Sequence, residues 1–480
     1  METPDGASTP RTLSVRERAH AWLRPNSCAR RLLLATGIYT LCVGVFACVA
    51  GPERLLHHTA YNHYALLADA WLHGRQDLAN GPPSYTMNND FALYQGKTFV
   101  SFPPLPAVLM LPFVKLAGSP EAFHDGQFAV WLAGVAPAVL FLVLEKLRRT
   151  SRSLRSEFEN FILSLLFAFG SVYFFTAVEG TVWFVALVLG AALSGLFFLY
   201  ALDAEQPLLA GVALGCAWLT RPSIVFAGVL FAAEAVRVSL RDGPAPGSPQ
   251  SLTKRLKATW ERLDVLALIR RCTLFLAPIV CALGVVAWLN FVRYDRLTPL
   301  YFDHELLTVA WRARMLKWGL VGYHYLAKNM GIALTSLPWL PPRDGGTAFG
   351  APFKINEHGL ALWVTTPLYL WVLWPKALDD QPARKWLYVT VTLAAVVPAL
   401  FDLGYQNSGW RQFGYRFSND YSVFLFALLA IGGRPMRGLF AAAAVWSVAC
   451  NTFGAITFDR AEFDRFYFRD GSQTIVYQPD

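Results

Sequence analysis

Long apolar runs separated by short polar breaks dominate the chain. About 20 apolar residues in a helix cross a hydrocarbon layer of about 30 Å. Such runs fall near 32–51, 124–145, 158–177, 181–201, 207–220, 222–240, 271–292, 359–376, 385–402, 418–433 and 437–457. The pattern predicts an all-α polytopic membrane protein: one domain over 1–480 with about 11 transmembrane helices. The 207–220 run is short, and 101–116 is a further half-span. The first run comes after a polar, basic tail over 1–31 and reads as an uncleaved helix, not a signal peptide.

Composition agrees with the pattern. Of 480 residues, 55% are hydrophobic and 16% charged, against roughly 45–50% and about 25% in soluble domains. The mean hydropathy is +0.36. The formal net charge of +9 has two readings, a nucleic-acid surface or cytoplasmic-side membrane charge. Placement decides between them. With the N-terminus inside, 24 of the 42 Lys and Arg fall on inside segments, and only four fall in the outside segment 51–123. This orientation predicts a cytoplasmic tail over 1–31 and an extracytoplasmic tail over 458–480, and the expected location is the inner (plasma) membrane. The basic stretch Lys254-Arg255-Leu256-Lys257 lacks interleaved aromatics and suits anionic lipid, so no nucleic-acid partner is expected. The seven cysteines show no zinc spacing and read as small core residues.

The unusual residues gather in the outside loops. In loop 51–123, Tyr64, Leu67, Ala68, Trp71 and Leu72 share one helical face, and His58, Asn62, Asp69 and His73 the opposite one. This reads either as an interfacial helix or as a polar stripe facing a cavity. Gln95-Gly96 between two short aromatic or β-branched runs predicts a tight hairpin, bracketed by Asp90 and Lys97. The Ser101-Phe102-Pro103-Pro104-Leu105-Pro106 corner is a rigid bend leading into an apolar stretch that ends at Phe113. The long loop 293–358 predicts two amphipathic helices, near 303–319 and 320–336, before a Pro-rich stretch and Glu357-His358. Loops this long are usually functional, and a lid is one use.

The last outside loop carries Trp410, Arg411, Tyr415, Arg416 and Asp420. Its arginines are planar donors suited to phosphate oxygens, though Arg416 and Asp420, four residues apart, also have the spacing to pair. Arg221 and Glu179 sit at apolar-span boundaries, where ionisable groups are costly and point either to function or to snorkelling. Trp339, Trp410 and Tyr415 are candidate stacking faces for sugar rings.

Several segments resemble bacterial integral-membrane glycosyltransferases of the GT-C superfamily, including the protein mannosyltransferase-like and aminoarabinose transferase-like families. They are Tyr61-Asn62-His63-Tyr64-Ala65-Leu66-Leu67-Ala68-Asp69-Ala70-Trp71-Leu72-His73-Gly74, Asp90-Phe91-Ala92-Leu93-Tyr94-Gln95-Gly96-Lys97 with the proline corner, the 211–222 stretch ending Thr220-Arg221-Pro222, and Phe413-Gly414-Tyr415-Arg416. The resemblance implies transfer of a hexose or pentose, with inversion, from a polyprenyl-phosphate donor to a glycan, lipid or protein acceptor on the extracytoplasmic side of the cell envelope. It also implies an acidic residue early in the first outside loop. Here that position reads Asn62, so Asp90 is the leading catalytic base and Asp69 the second.

Lys97, Arg221, Arg411 and Arg416 are the candidate donor-phosphate ligands. Asn62, His63, Glu179, His358, Tyr415 and Asp420 are candidates to line the substrate cavity. No cofactor is expected and no DxD motif stands in the first loop; Asp379-Asp380 reads as solvated inside charge. Two other classes fit less well. A lipid-diphosphate-dependent glycan polymerase or ligase would share the arginines. A lipid-linked-sugar transporter or flippase would need paired broken helices in repeated halves, and no repeat is evident.

Overall fold

The computed structural model describes residues 24, 26–241, 260–309, 311–341, 350–376, 378 and 381–468. The Lys254–Lys257 stretch, Asp379-Asp380, most of the basic tail and the chain beyond 468 lie outside the described residues. In chain order the helices and strands are α1 (Cys28–Leu55), α2 (His63–Leu72), β1 (Phe91–Tyr94), β2 (Lys97–Val100), α3 (Leu105–Ala117), α4 (Asp125–Ala133), α5 (Val135–Arg149), α6 (Glu157–Phe169), α7 (Tyr173–Glu179), α8 (Val182–Ala201) and α9 (Pro207–Trp218). They continue as α10 (Val229–Val238), α11 (Val265–Tyr294), α12 (Arg312–Trp318), α13 (Leu326–Thr335), β3 (Ile355–Asn356), α14 (Leu362–Thr365), α15 (Pro382–Leu403), α16 (Asn419–Ile431), α17 (Leu439–Thr457) and β4 (Tyr467–Phe468).

Among the described residues, six helices are long and apolar enough to cross a membrane: α1, Asp125–Arg149, Val182–Ala204, α11, α15 and α17. The pair α6 and α7, bent by 56°, makes a seventh if it counts as one span. This is a polytopic membrane protein, but the four other expected spans are short or broken. Prolines explain two of them, because a residue before proline is pushed out of the α region. Arg221, before Pro222, sits at φ −139°, ψ 92°, so 222–228 is a 3-10 turn and only α10 remains helical. Thr366, before Pro367, sits at φ −140°, ψ 69°, and reduces 359–376 to α14 and a 3-10 turn. The 207–220 run yields a 12-residue helix and 418–433 a 13-residue one stopped by Gly432-Gly433.

Helix α8 is apolar all round and almost wholly buried, as an inner helix must be. Helix α16 packs beside it, buried at every described position but Leu425. In contrast α11 exposes Leu266, Val280 and Trp288 along its length, the signature of a lipid-facing helix. Close approach requires glycine at Gly211, where a Cβ would stand 2.1 Å from the Phe275 carbonyl oxygen of α11. Capping starts several helices: Ser27 for α1, Asp264 for α11, and a Ser156/Glu159 capping box for α6.

The bundle has two chemically different ends. At one, α1 starts and α5 ends, and Arg30 pairs with Glu157 at 2.6 Å. There Glu145 holds Arg148 at 2.7 Å, Arg152 holds Asp203 at 2.6 Å, and Arg237 holds Glu234 at 2.8 Å. The opposite end carries α2, the hairpin, α3 and the segments after α11 and α15. The hairpin is present as expected: β1 and β2 pair antiparallel with Phe91 opposite Val100. Gln95 (φ 48°) and Gly96 (φ 77°) both take positive φ, the geometry of a type I′ turn. Helix α2 fits only one of its two expected readings. His63, Tyr64, Ala65, Leu66, Leu67, Ala68 and Ala70 are all buried, so it lies inside the protein and is no interfacial helix. The two helices expected near 303–319 and 320–336 shrink to α12 and α13 with 3-10 turns before each. Strands β3 and β4 pair in parallel and tie 355–356 to 467–468.

Candidate active site

Asp90 enters β1 from a backbone position at φ 60°, which aspartate tolerates better than most residues. Its carbonyl oxygen accepts from the Ser101 hydroxyl at 2.8 Å. One residue earlier, the Asn89 carbonyl bonds His63 Nε2 at 2.8 Å. A carbonyl only accepts, so Nε2 bears the proton. Burial pushes the His63 ring down to about 4, and the neutral imidazole stacks on Phe91 at 4.4 Å and meets the edge of Phe102 at 5.3 Å. His63 therefore fastens the loop that carries Asp90.

The Asp90 carboxylate is half-buried and accepts one side-chain hydrogen bond, from Trp183 Nε1 to Oδ2 at 3.0 Å. Burial pushes its pKa up to about 6, against the opposing pull of the Trp183 bond and the Arg416 charge. A carboxylate poised there is suited to accept a proton near neutral pH.

Arg416 faces it from the other wall and is only 5% exposed. Its backbone N–H donates to Gln412 Oε1 at 2.8 Å, and Gln412 Nε2 donates to the carbonyls of His358 (2.6 Å) and Ser408 (2.7 Å). The guanidinium lies 4.8 Å from the Phe184 ring centre. Among the described residues Nε has no hydrogen-bond partner, and no carboxylate comes within 4.0 Å. Burial, then the neighbouring Arg221 charge, lowers its affinity for the proton to about 9. A buried cation without an anion is costly, and an anionic ligand would relieve that cost.

Asp420 does not supply the anion. Residues Arg416–Ser418 form a 3-10 turn, so Arg416 and Asp420 are not stacked one α-turn apart. Asp420 instead takes both Nε and Nη2 of Arg221, at 3.0 and 2.6 Å, and the Ser223 hydroxyl at 2.6 Å. Asp402 stands 3.7 Å from the same Arg221 nitrogen. The break at Arg221-Pro222 thus turns a cation inward as a clamp between α9 and α16. The buried Tyr415 hydroxyl, with no hydrogen-bond partner, lies in the field of Arg221, Asp402 and Asp420. Tyr405 lies in the fields of Arg221, Asp90 and Asp303 and joins the two halves.

Asp90, Arg221, Arg416, Tyr415 and Asp420 therefore gather at one place. Other expected site residues do not join them. Asn62 stands just before α2, its side chain accepting from Tyr85 Oη at 3.2 Å and donating to the Pro120 carbonyl at 3.2 Å. Asp69 faces His73 at 3.4 Å on the far turns of α2. Lys97 is exposed at the hairpin turn. Arg411 is held by Glu357 (3.0 Å) and Asp459 (2.8 Å). Glu179 is held by Arg54 at 3.0 Å. His358 Nδ1 bonds the Ser408 hydroxyl at 3.1 Å and belongs to the scaffold under Arg416.

Sequence reading missed Trp183, Phe184, Tyr405 and Asp303. The first two were hidden inside an apolar run, and the others carry no local signal. Among the described residues no group of three or more His, Cys, Asp or Glu gathers for a metal. An apolar groove of about 390 Å³, lined by Val45, Val49, Ile162, Phe169, Phe174 and Val448, does not reach Asp90 or Arg416.

No protein-family model matches the chain, and no curated protein is significantly similar to it. Two solved structures of the Archaeoglobus fulgidus oligosaccharyltransferase show a distant likeness. One, tethered to an acceptor peptide containing the NVT sequon, has 13% identity and a TM-score of 0.45 over 91% of this chain and 56% of that one. The other, the apo form, has 13% identity and a TM-score of 0.41 over 87% and 56%. The chain spans just over half the length of these structures, and a likeness at this level carries no functional conclusion.

Proposed function

We propose that the protein is a membrane glycosyltransferase that moves a hexose or pentose from a polyprenyl-phosphate donor to an acceptor hydroxyl on the extracytoplasmic side. The observation that carries this reading is the juxtaposition of Asp90, raised to about 6 and steadied by Trp183, with a buried Arg416 that pairs with no carboxylate within 4.0 Å among the described residues. Asp90 accepts the acceptor hydroxyl proton as its oxygen bonds to the sugar C1. The bond from C1 to the phosphate oxygen breaks, and the departing phosphate monoester takes its electron pair toward Arg416. A single displacement of this kind inverts the anomeric centre. Arg221, committed to Asp420, positions the wall that presents Arg416 and does not itself bind phosphate.

The test is donor consumption by the reconstituted protein. The expected result is turnover of polyprenyl-monophosphate sugar and its loss in Asp90→Asn with the melting transition retained. Use of diphosphate donors alone would support a polymerase or ligase. Flux of lipid-linked sugar without chemistry would support a flippase.

A further inference from the structure

A second group of polar side chains stands beside Asp90 and takes no part in the displacement at C1. Arg293 closes α11, Trp218 closes α9, Tyr64 lies on α2, and Tyr301 and Asp303 come after α11. The segment carrying Tyr301 and Asp303 is strapped to the hairpin by an antiparallel bridge between Leu307 and Ala92 and by Thr308 N donating to the Phe91 carbonyl at 3.3 Å. Asp90 and Asp303 are thus both tied to β1, and Tyr405 lies in the field of both. The Tyr301 hydroxyl donates to the Trp218 carbonyl at 3.0 Å, and the two rings lie 5.6 Å apart. Tyr301 in turn lies in the fields of Asp303, Tyr64 and Arg293.

Hydrogen bonding is incomplete there. Buried polar atoms are nearly always paired. Yet Tyr64 Oη, Trp218 Nε1 and Arg293 Nη2 are buried with no hydrogen-bond partner among the described residues, and Tyr64 is 1% exposed. Arg293 spends its other nitrogens on the Gln76 amide oxygen and the Val100 carbonyl, both at 3.3 Å. Asp303 has no cation within 4.0 Å among the described residues, and burial pushes its carboxyl up to about 7.

We propose that Tyr64, Trp218, Arg293, Tyr301 and Asp303 form a subsite for a polyhydroxylated acceptor next to the Asp90 base. The reading rests on the proposed glycosyl transfer and names its acceptor class. Three unused donors want acceptor oxygens, one carboxylate wants hydroxyl protons, and the Trp218–Tyr301 pair offers a ring face. A sugar satisfies all three demands at once. A second phosphate would meet the Asp303 carboxylate, and an apolar tail would leave every donor unpaired.

The test needs neither donor nor turnover, so its failure and the failure of the transferase reading are distinguishable. Full-length protein in lipid nanodiscs, free of sugar detergents, is mixed with methyl glycosides of common hexoses and pentoses. Saturation-transfer difference NMR reads the binding. The expected result is saturation transfer to at least one glycoside by wild type, and a loss of about fivefold or more in Asp303→Asn. If Asp303→Asn lacks a melting transition, Tyr301→Leu carries the same expectation. Equal transfer in the folded variants, or no transfer to any glycoside by wild type, overturns the subsite.

Discussion

The two ends of the bundle use charge in opposite ways. At the basic end the buried ionisable groups are matched. Glu145, Lys146, Arg152, Arg155 and Glu234 each hold an opposite charge within 4 Å. Arg152 and Arg237 share Asp203 and Glu234, so four groups form one closed network joining three segments of chain. At the Asp90 end some pairs are equally closed, Arg221 with Asp420 above all. Beside them stand Arg416, Asp90 and Asp303 with no ion pair of their own among the described residues. Paired buried charge holds helices in register, whereas unpaired buried charge is a cost that persists at sites of chemistry.

The comparison breaks most sharply under substitution. Asp90→Asn removes the base and is expected to lower the transfer rate by roughly 10²–10⁴-fold. Arg416→Ala is expected to cost roughly 10²–10³-fold through lost charge stabilisation. Both are read by single-turnover transfer, with little change in the melting transition. Glu234→Gln acts on the other end. It uncouples Arg237 and Arg152 and is expected to destabilise by roughly 2–3 kcal/mol, seen as a lower melting temperature in nanodiscs.

A smaller effect comes from proton balance. The reactive form of Asp90 is the carboxylate, and its midpoint is raised to about 6. Transfer is therefore expected to fall about tenfold per unit as pH drops below that value. Trp183→Phe removes the bond that favours the charged form, so the midpoint moves upward by about one unit. A midpoint that stayed put would separate Trp183 from the base. The smallest effect is that of Lys97→Ala, an exposed hairpin residue, expected within about 0.5 kcal/mol of wild type in stability and unchanged in transfer.

The range of each interaction decided whether it was legible in the chain. The Gln95-Gly96 hairpin was legible because its turn chemistry is local, and so were the long uninterrupted helices. Asp90, Arg221 and Arg416 are singled out in the sequence by loop placement and resemblance. The pairing of Asp420 was not legible, because Arg221 lies 199 residues away and a 3-10 turn removes the expected neighbour. The broken spans after Arg221 and Thr366 were obscured because hydropathy registers apolar length and ignores the pre-proline constraint. Asp303 had no signal at all. It matters only because Leu307 bridges to Ala92 from more than 200 positions along the chain.

The most direct test sets the two ends side by side in Asp90→Asn and Glu234→Gln. Single-turnover transfer from a polyprenyl-monophosphate sugar and the melting temperature are measured on both, below either melting point. The account predicts that Asp90→Asn loses transfer and keeps its melting temperature, whereas Glu234→Gln loses melting temperature and keeps transfer. Near-normal transfer in a folded Asp90→Asn, or loss of transfer in Glu234→Gln well below its melting point, would contradict it.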